Sequence, residues 1–281
     1  MKISFQGQAG AYSDLACRMA FPGAQTLPCE TFQAAIAAVH GGGADLAMLP
    51  PENSIAGRVP DMHALLPESG LSIIGEKFLR IEHCLLAPKG ATLASIKRIH
   101  SHPVALGQVR NLIAELGALP VAEYDTAGAA EIVAAGQNIE DAAIASALAG
   151  ELHGLQILRR NVEDEDHNTT RFYVMARQAP ILDPKTKDLM TTFVFNVRNV
   201  PAALYKALGG FATNGVNMTK LESYMVNGSF TATQFLAEVD GHPDQPALVH
   251  AFDELKFFST EIKILGTYKA DAFRLRQRAA G

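Results

Sequence analysis

Asn168-Thr169-Thr170-Arg171-Phe172 sets a guanidinium beside two hydroxyls, after an acidic run at 163–166 and at the start of a strand predicted over 171–176. Arginine's planar fork suits bidentate carboxylate binding, and a neighbouring hydroxyl can give a proton or hydrogen bond to a leaving group. The same residues also read as an edge-strand arginine paired with the acidic run, an ion pair of little energetic weight. Pro51-Glu52-Asn53-Ser54 follows an apolar run, so Asn53 and Ser54 leave the C-terminal end of a sheet, where open α/β folds bind ligands. They either hydrogen-bond a small polar substrate or cap the next segment. Ser101-His102-Pro103 ends another strand and opens a helix predicted over 103–116, with Gln108 beside the apolar stripe Val109, Leu112, Ile113 and Leu116. A sheltered amide needs partners, from a ligand in a cleft shared with Ser101 or from the core itself. Gly7-Gln8-Ala9-Gly10 lies between a strand and a helix. It either offers N–H groups to an anion or is a plain tight turn.

Other chemistries are poorly provided for. That glycine turn lacks the Gly-Lys-Ser/Thr of a phosphate loop and the third glycine of a dinucleotide fingerprint. Ser13, Ser54, Ser101 and Ser146 stand outside any Gly-x-Ser-x-Gly, and no His/Asp order completes a triad. The nine histidines include no His-Glu-x-x-His, and the pair His100 and His102 has no third ligand nearby, so no metal is expected. Cys17, Cys29 and Cys84, an odd count without C-x-x-C spacing, suit reduced thiols in a cytoplasmic protein. A net charge of −5 argues against nucleic acid as partner. No apolar run is long enough to span a bilayer, and the first residues lack a signal peptide's apolar region.

The 281 residues are enough for one large domain or two ordinary ones, and 48% hydrophobic with 19% charged residues is a globular balance. Short apolar runs at 3–5, 45–49, 71–74, 83–87, 98–101, 121–124 and 142–145 read as strands alternating with helices over 13–21, 32–40 and 103–116. The second helix ends at Gly41-Gly42-Gly43, Asp125 and Ser146 are helix caps, and the strand at 45–49 stops at Pro50-Pro51. That alternation predicts an α/β domain. A proline-containing stretch, 178–187, then separates it from strand 192–197, helix 201–213, a hairpin of 218–226 and 229–239 across Asn227-Gly228, helix 245–257 and strand 262–268. The order βαββαβ predicts a ferredoxin-like α+β unit.

In order along almost the whole chain, these segments resemble the prephenate dehydratase family: Gly7 to Ser13, Pro51 to Ser54 with Gly57, Ser101 to Gln108 with Val104 for the usual glutamine, Asp125-Thr126-Ala127, Ala143 to Ser146, Gly154 to Leu158, and Asn168 to Phe172. The last third is similar to an ACT regulatory domain at residues 200–208 and 217–224, with Ala202 for a usual glycine and Tyr224-Met225 for Arg-Pro. The resemblance implies a two-lobed catalytic domain like the type II periplasmic binding proteins at 1–178 (lobes 1–77 plus 159–178, and 78–158), a linker at 179–190 and an ACT domain at 191–271. It implies conversion of prephenate to phenylpyruvate without metal or organic cofactor, with arogenate as the alternative substrate. Thr170 would be the general acid beside Arg171, which with the glycine turn would hold the carboxylates. Asn53, Ser54, Ser101, Gln108 and Phe172 would bind substrate. Phenylalanine would bind near Asn199, Val200, Ala203, Leu204, Glu222 and Ser223 of a homodimer or homotetramer. A non-enzymatic sensor with the same two modules is the competing expectation, and Thr170 argues against it, since binding alone has no need of that hydroxyl.

Overall fold

Ile3, Ser4 and Phe5 are fully buried at the centre of β1 (Lys2–Gln6), as a parallel strand covered on both faces requires. In the computed structural model, which describes residues 1–198, 200–225 and 232–280, β1 pairs in parallel with β2 (Gln25–Cys29) and β3 (Leu46–Asn53). The crossovers are α1 (Tyr12–Ala20) and α2 (Phe32–His40). Helix α2 starts where the Thr31 hydroxyl accepts the Ala34 N–H at 3.0 Å and ends at its glycine run, with Gly42 at φ 75°. Strand β3 continues through Pro50-Pro51 rather than stopping there, and turns back as β4 (Gly57–Arg58). Both prolines lie past Met48, the last residue paired with β1, so that ladder needs no N–H from them. Next come α3 (Pro60–Glu68) and β5 (Ser72–Arg80); with β11 (Thr169–Ala176) the sheet order is β2-β1-β3-β11-β5.

A second sheet has the order β10-β6-β9-β7-β8, built from β6 (Cys84–Ala87), β7 (Arg98–Ser101), β8 (Leu119–Ala122), β9 (Asp141–Ala145) and β10 (Gln156–Arg159). Its helices are α4 (Pro103–Leu106), α5 (Arg110–Leu116), α6 (Thr126–Gly136) and α7 (Ala147–His153). Leu85, Ile99, Leu112 and Ile144 fill one core layer, and Leu86, Ala129, Val133 and Ala143 another. Both expected caps are present: Asp125 accepts from Gly128 N–H at 2.6 Å and Ser146 from Ala149 N–H at 3.0 Å. The helix expected over 103–116 is instead two pieces. Gly107 closes α4, and the Asp164 carboxylate accepts the N–H groups of Arg110 at 2.9 Å and Asn111 at 3.1 Å, giving α5 its own cap. The cap comes from a residue over fifty positions away, which local periodicity cannot register.

Contacts divide the chain into one unit of Met1–Val59 with Lys77–Phe172 and another of Pro60–Glu76 with Tyr173–Gly281. Residues 60–76, read from sequence as part of the first lobe, belong to the second unit. There β12 (Leu189–Val197), α8 (Ala203–Thr213), β13 (Met218–Met225), β14 (Ala232–Asp240), α9 (Pro246–Phe258) and β15 (Ser259–Lys269) form an antiparallel sheet of order β13-β14-β12-β15, the ferredoxin-like arrangement. Phe193, Phe195, Phe211, Phe235 and Phe252 pack together between that sheet and its two helices. The Asn227-Gly228 turn and Asn199 lie outside the described residues. A final helix, α10 (Ala272–Ala280), follows. Among the described residues no helix is long and apolar enough to cross a membrane.

Candidate active site

Thr170 and Phe172, alternate residues of β11, line a cavity of about 300 Å³ in the first unit, while Arg171 between them does not. Tyr12 and Ser13 from the start of α1, Asn53 from the end of β3, and His83, Gln108 and Asn168 from loops complete most of its polar wall. Among the described residues, no Lys or Arg lines it.

One chain of hydrogen bonds runs along this wall. The Ile55 and Ala56 N–H groups donate to Asn53 Oδ1 at 2.9 and 2.8 Å, which fixes the orientation of the Asn53 amide. Its Nδ2 then donates to Thr170 Oγ1 at 2.9 Å and to Asn168 Oδ1 at 2.8 Å. Asn168, almost fully buried, donates from Nδ2 to Gln108 Oε1 at 3.0 Å, which lies 2.9 Å from His83 Nε2. His83 Nδ1 is 2.7 Å from the Tyr12 hydroxyl. Burial holds the His83 imidazole below its usual pKa, against the opposing pull of the Gln108 bond and of Glu163. Burial likewise pushes the Tyr12 phenol well above its usual value, helped by the nearby acidity of Cys84, Glu163 and Glu82.

The sequence expectations divide here. Thr170, Asn53, Gln108 and Phe172 come together. Arg171 does not join them. Strand alternation turns it away, and its guanidinium, 2% exposed, pairs with Glu52 at 2.9 Å and lies over the Phe78 ring. Neither the carboxylate clamp nor the surface pair with residues 163–166 describes it. Ser54 is a staple: its hydroxyl donates to the His167 carbonyl at 2.8 Å and accepts the Thr169 N–H at 2.9 Å. Ser101 is fully buried and donates to the Ile144 carbonyl at 2.7 Å, tying β7 to β9 rather than facing Gln108. The glycine turn is spoken for as well, since Gly7 N–H donates to the Cys29 carbonyl and Gly10 N–H to Asp14, each at 2.9 Å. The N–H groups without a side-chain cap are those opening α1, just beyond it. His83 and Asn168 have no role in the sequence reading, where His83 stands only as the first residue of a predicted strand and Asn168 only as the start of the Asn168 to Phe172 segment. Of the expected effector residues, Ala203 and Leu204 join the core of the second unit, Val200 and Ser223 are exposed, and Glu222 pairs with Lys220 at 3.0 Å and His63 at 3.1 Å.

The prephenate dehydratase family model matches residues 3–180, which carries this whole wall. The chain belongs to the prephenate dehydratase family. It is 64% identical over 272 residues to a bifunctional N-acyl-homoserine lactone acylase/prephenate dehydratase of Komagataeibacter europaeus, covering 97% of each chain. Arogenate dehydratase 2 of Petunia hybrida is 37% identical across 97% of this chain and 72% of its own. Among solved structures, one described as GqqA, a novel type of quorum quenching acylases, superposes with a TM-score of 0.92 at 63% identity, covering 98% of this chain and 100% of its own. The prephenate dehydratase of Arthrobacter aurescens, solved in complex with L-Phe, has a TM-score of 0.86 at 30% identity over 96% and 90%. Like these dehydratase relatives, the chain is an enzyme of aromatic amino acid biosynthesis.

Proposed function

We propose that the cavity converts prephenate to phenylpyruvate, the ring carboxylate leaving as carbon dioxide and the ring hydroxyl as water. The observation that carries this is the Asn53 Nδ2–Thr170 Oγ1 bond of 2.9 Å. With its oxygen already accepting, Thr170 has its one proton to give to the departing ring oxygen as the C–O bond breaks and the carboxylate's electrons enter the ring. The same Asn53 N–H stabilises negative charge that builds on Oγ1. With no Lys or Arg among the described residues of the wall, the two carboxylates of prephenate are held by dipoles: the uncapped N–H groups of α1, the Gln108 Nε2 and the imidazole of His102, whose Nδ1 accepts the Val104 N–H at 3.2 Å and so leaves its proton on Nε2. Phe172 gives the ring an apolar wall. Purified protein with prephenate and no added cofactor is expected to yield phenylpyruvate; no product would end this reading.

Arogenate is the second substrate to test, because the Asp125 carboxylate also lines the cavity and would pair with the ammonium that arogenate has and prephenate lacks. The ratio of kcat/KM on the two decides between them. The whole-chain likeness to the Komagataeibacter protein supports a further assay, release of homoserine lactone from an N-acyl derivative. For the C-terminal ferredoxin-like unit the reading is an ACT domain at about 191–271, joined by a linker at 179–190 to catalytic residues 1–178, in a cytoplasmic homo-oligomer. L-Phenylalanine would bind near residues 199–204 and Glu222-Ser223. Turnover unchanged at millimolar phenylalanine would remove the regulatory part alone.

A further inference from the structure

We propose that Tyr12 and His83 are positioning residues, which set the direction of every hydrogen bond from Gln108 through Asn168 and Asn53 so that the Thr170 proton faces the cavity. This rests on the reading of Thr170 as the hydrogen-bond donor to the leaving oxygen.

The direction is imposed from both ends. At one end two backbone N–H groups occupy Asn53 Oδ1, so the Asn53 amide can only donate onward. Asn168 therefore accepts at Oδ1 and donates at Nδ2, and Gln108 must present Oε1 to it. That oxygen also faces His83 Nε2 at 2.9 Å, where only a nitrogen bearing a proton is tolerated. A neutral imidazole can carry its proton on either nitrogen, and the bond made by one nitrogen selects the state of the other. The Tyr12 hydroxyl has two acceptors in reach, the Glu82 carbonyl at 3.2 Å and Nδ1 at 2.7 Å, and by giving its one proton to the nearer it makes that selection. In the opposite tautomer a lone pair would face Gln108 Oε1. Turning the Gln108 amide to relieve it would set NH₂ against the NH₂ of Asn168, and the disturbance would pass to Asn53 and Thr170. Burial keeps His83 neutral, and the one ionisable group that pulls the other way is Glu163, which accepts the His83 backbone N–H at 2.9 Å and is itself 3.5 Å from Arg80.

The test combines turnover with a direct view of the ring. Nitrogen-15 NMR of histidine-labelled protein is expected to show His83 as the Nε2–H tautomer at neutral pH, and Tyr12→Phe to turn it into a mixture. His83→Leu is expected to lower kcat about tenfold or more with KM little changed, since Gln108 Oε1 loses one of its two donors and with it the constraint on the direction of its amide. His83→Gln, which retains a donor and an acceptor, is expected to recover most of that loss. An unaltered tautomer in Tyr12→Phe, or equal kcat in the Leu and Gln variants of a folded protein, overturns the proposal. The NMR arm needs no substrate, so it stands or falls apart from the identity of the reaction. Should His83→Leu fail to fold, Tyr12→Phe still carries both readouts.

Discussion

The Thr170 hydroxyl is a poor acid by itself, so what matters is which way its proton points and what supports its oxygen. Both depend on Asn53. Exchanging that amide for a carboxylate leaves the shape alone and reverses the logic: Asn53→Asp would accept from Thr170 and draw its proton away from the cavity. Turnover is expected to fall about 10²- to 10³-fold, as for loss of one preorganised donor, with steady-state kinetics as the measurement. Thr170→Ala is expected to cost about 10²- to 10⁴-fold, and Thr170→Ser much less, both with unchanged circular dichroism. His83 gives a pH signature of stability. Its folded pKa is depressed by burial, so the unfolded chain takes up a proton first as pH falls. The contribution is intact above about pH 6.5, the ordinary imidazole value, and is lost as pH drops through the lower folded value. Thermal melts of the parent protein should therefore decline below pH 6.5 more steeply than those of His83→Gln.

Two turns show how elements are held to their places. Gly10 sits at φ 88°, and a Cβ there would come within 2.8 Å of the Ala149 backbone, beside the bond from Ser146 Oγ to the Gly10 carbonyl. Gly10→Ala is expected to combine left-handed strain with a clash between the start of α1 and the start of α7. Ala202 is the opposite case, a non-glycine residue at φ 60° opening α8. Ala202→Gly is expected to raise stability by about 1 kcal/mol by removing left-handed strain, read from denaturant midpoints. The sequence pointed to a glycine-like position there through its likeness to ACT segments, but only the dihedral gives the reason. Legibility followed the range of the interactions. Helix α2, the caps Asp125 and Ser146, and the βαββαβ order rest on neighbours within a few positions and were readable. The break between α4 and α5 rests on Asp164, and the fate of Arg171 on Glu52, partners more than fifty residues distant. Strand periodicity at 169–172 already implied that Thr170 and Arg171 cannot face one cavity. The attraction of a hydroxyl beside a cation masked it.

The chain as a whole is not two beads in sequence. Residues 60–76 leave the first unit and serve the second, where the Lys263 ammonium of the ferredoxin-like sheet donates to the Pro67 carbonyl of a segment that precedes that sheet by more than a hundred positions. Phe193 and Phe195 face α8 and α9; Thr192 and Val194, which alternate with them, are also buried, on the opposite face. Glu238 is fully buried there with the hydroxyls of Tyr173 and Thr192 and with Arg274 of α10 at 3.4 Å. Arg274 also grips Glu76, donating from Nε and Nη2 at 2.9 Å each. One guanidinium thus answers two carboxylates whose side chains have no solvent access, and removing it takes a buried cation from both. Arg274→Ala is expected to cost about 3 to 5 kcal/mol, measured by chemical denaturation. Cutting at the linker should do comparable harm from the other side: a fragment of residues 190–281 keeps Arg274 and Glu238 but lacks Glu76 and Tyr173, which bonds Glu238 on the face of Thr192. It is expected to expose that face and fail to give a cooperative melt, whereas a fragment that folds cooperatively would show that segment 60–76 is dispensable to that sheet.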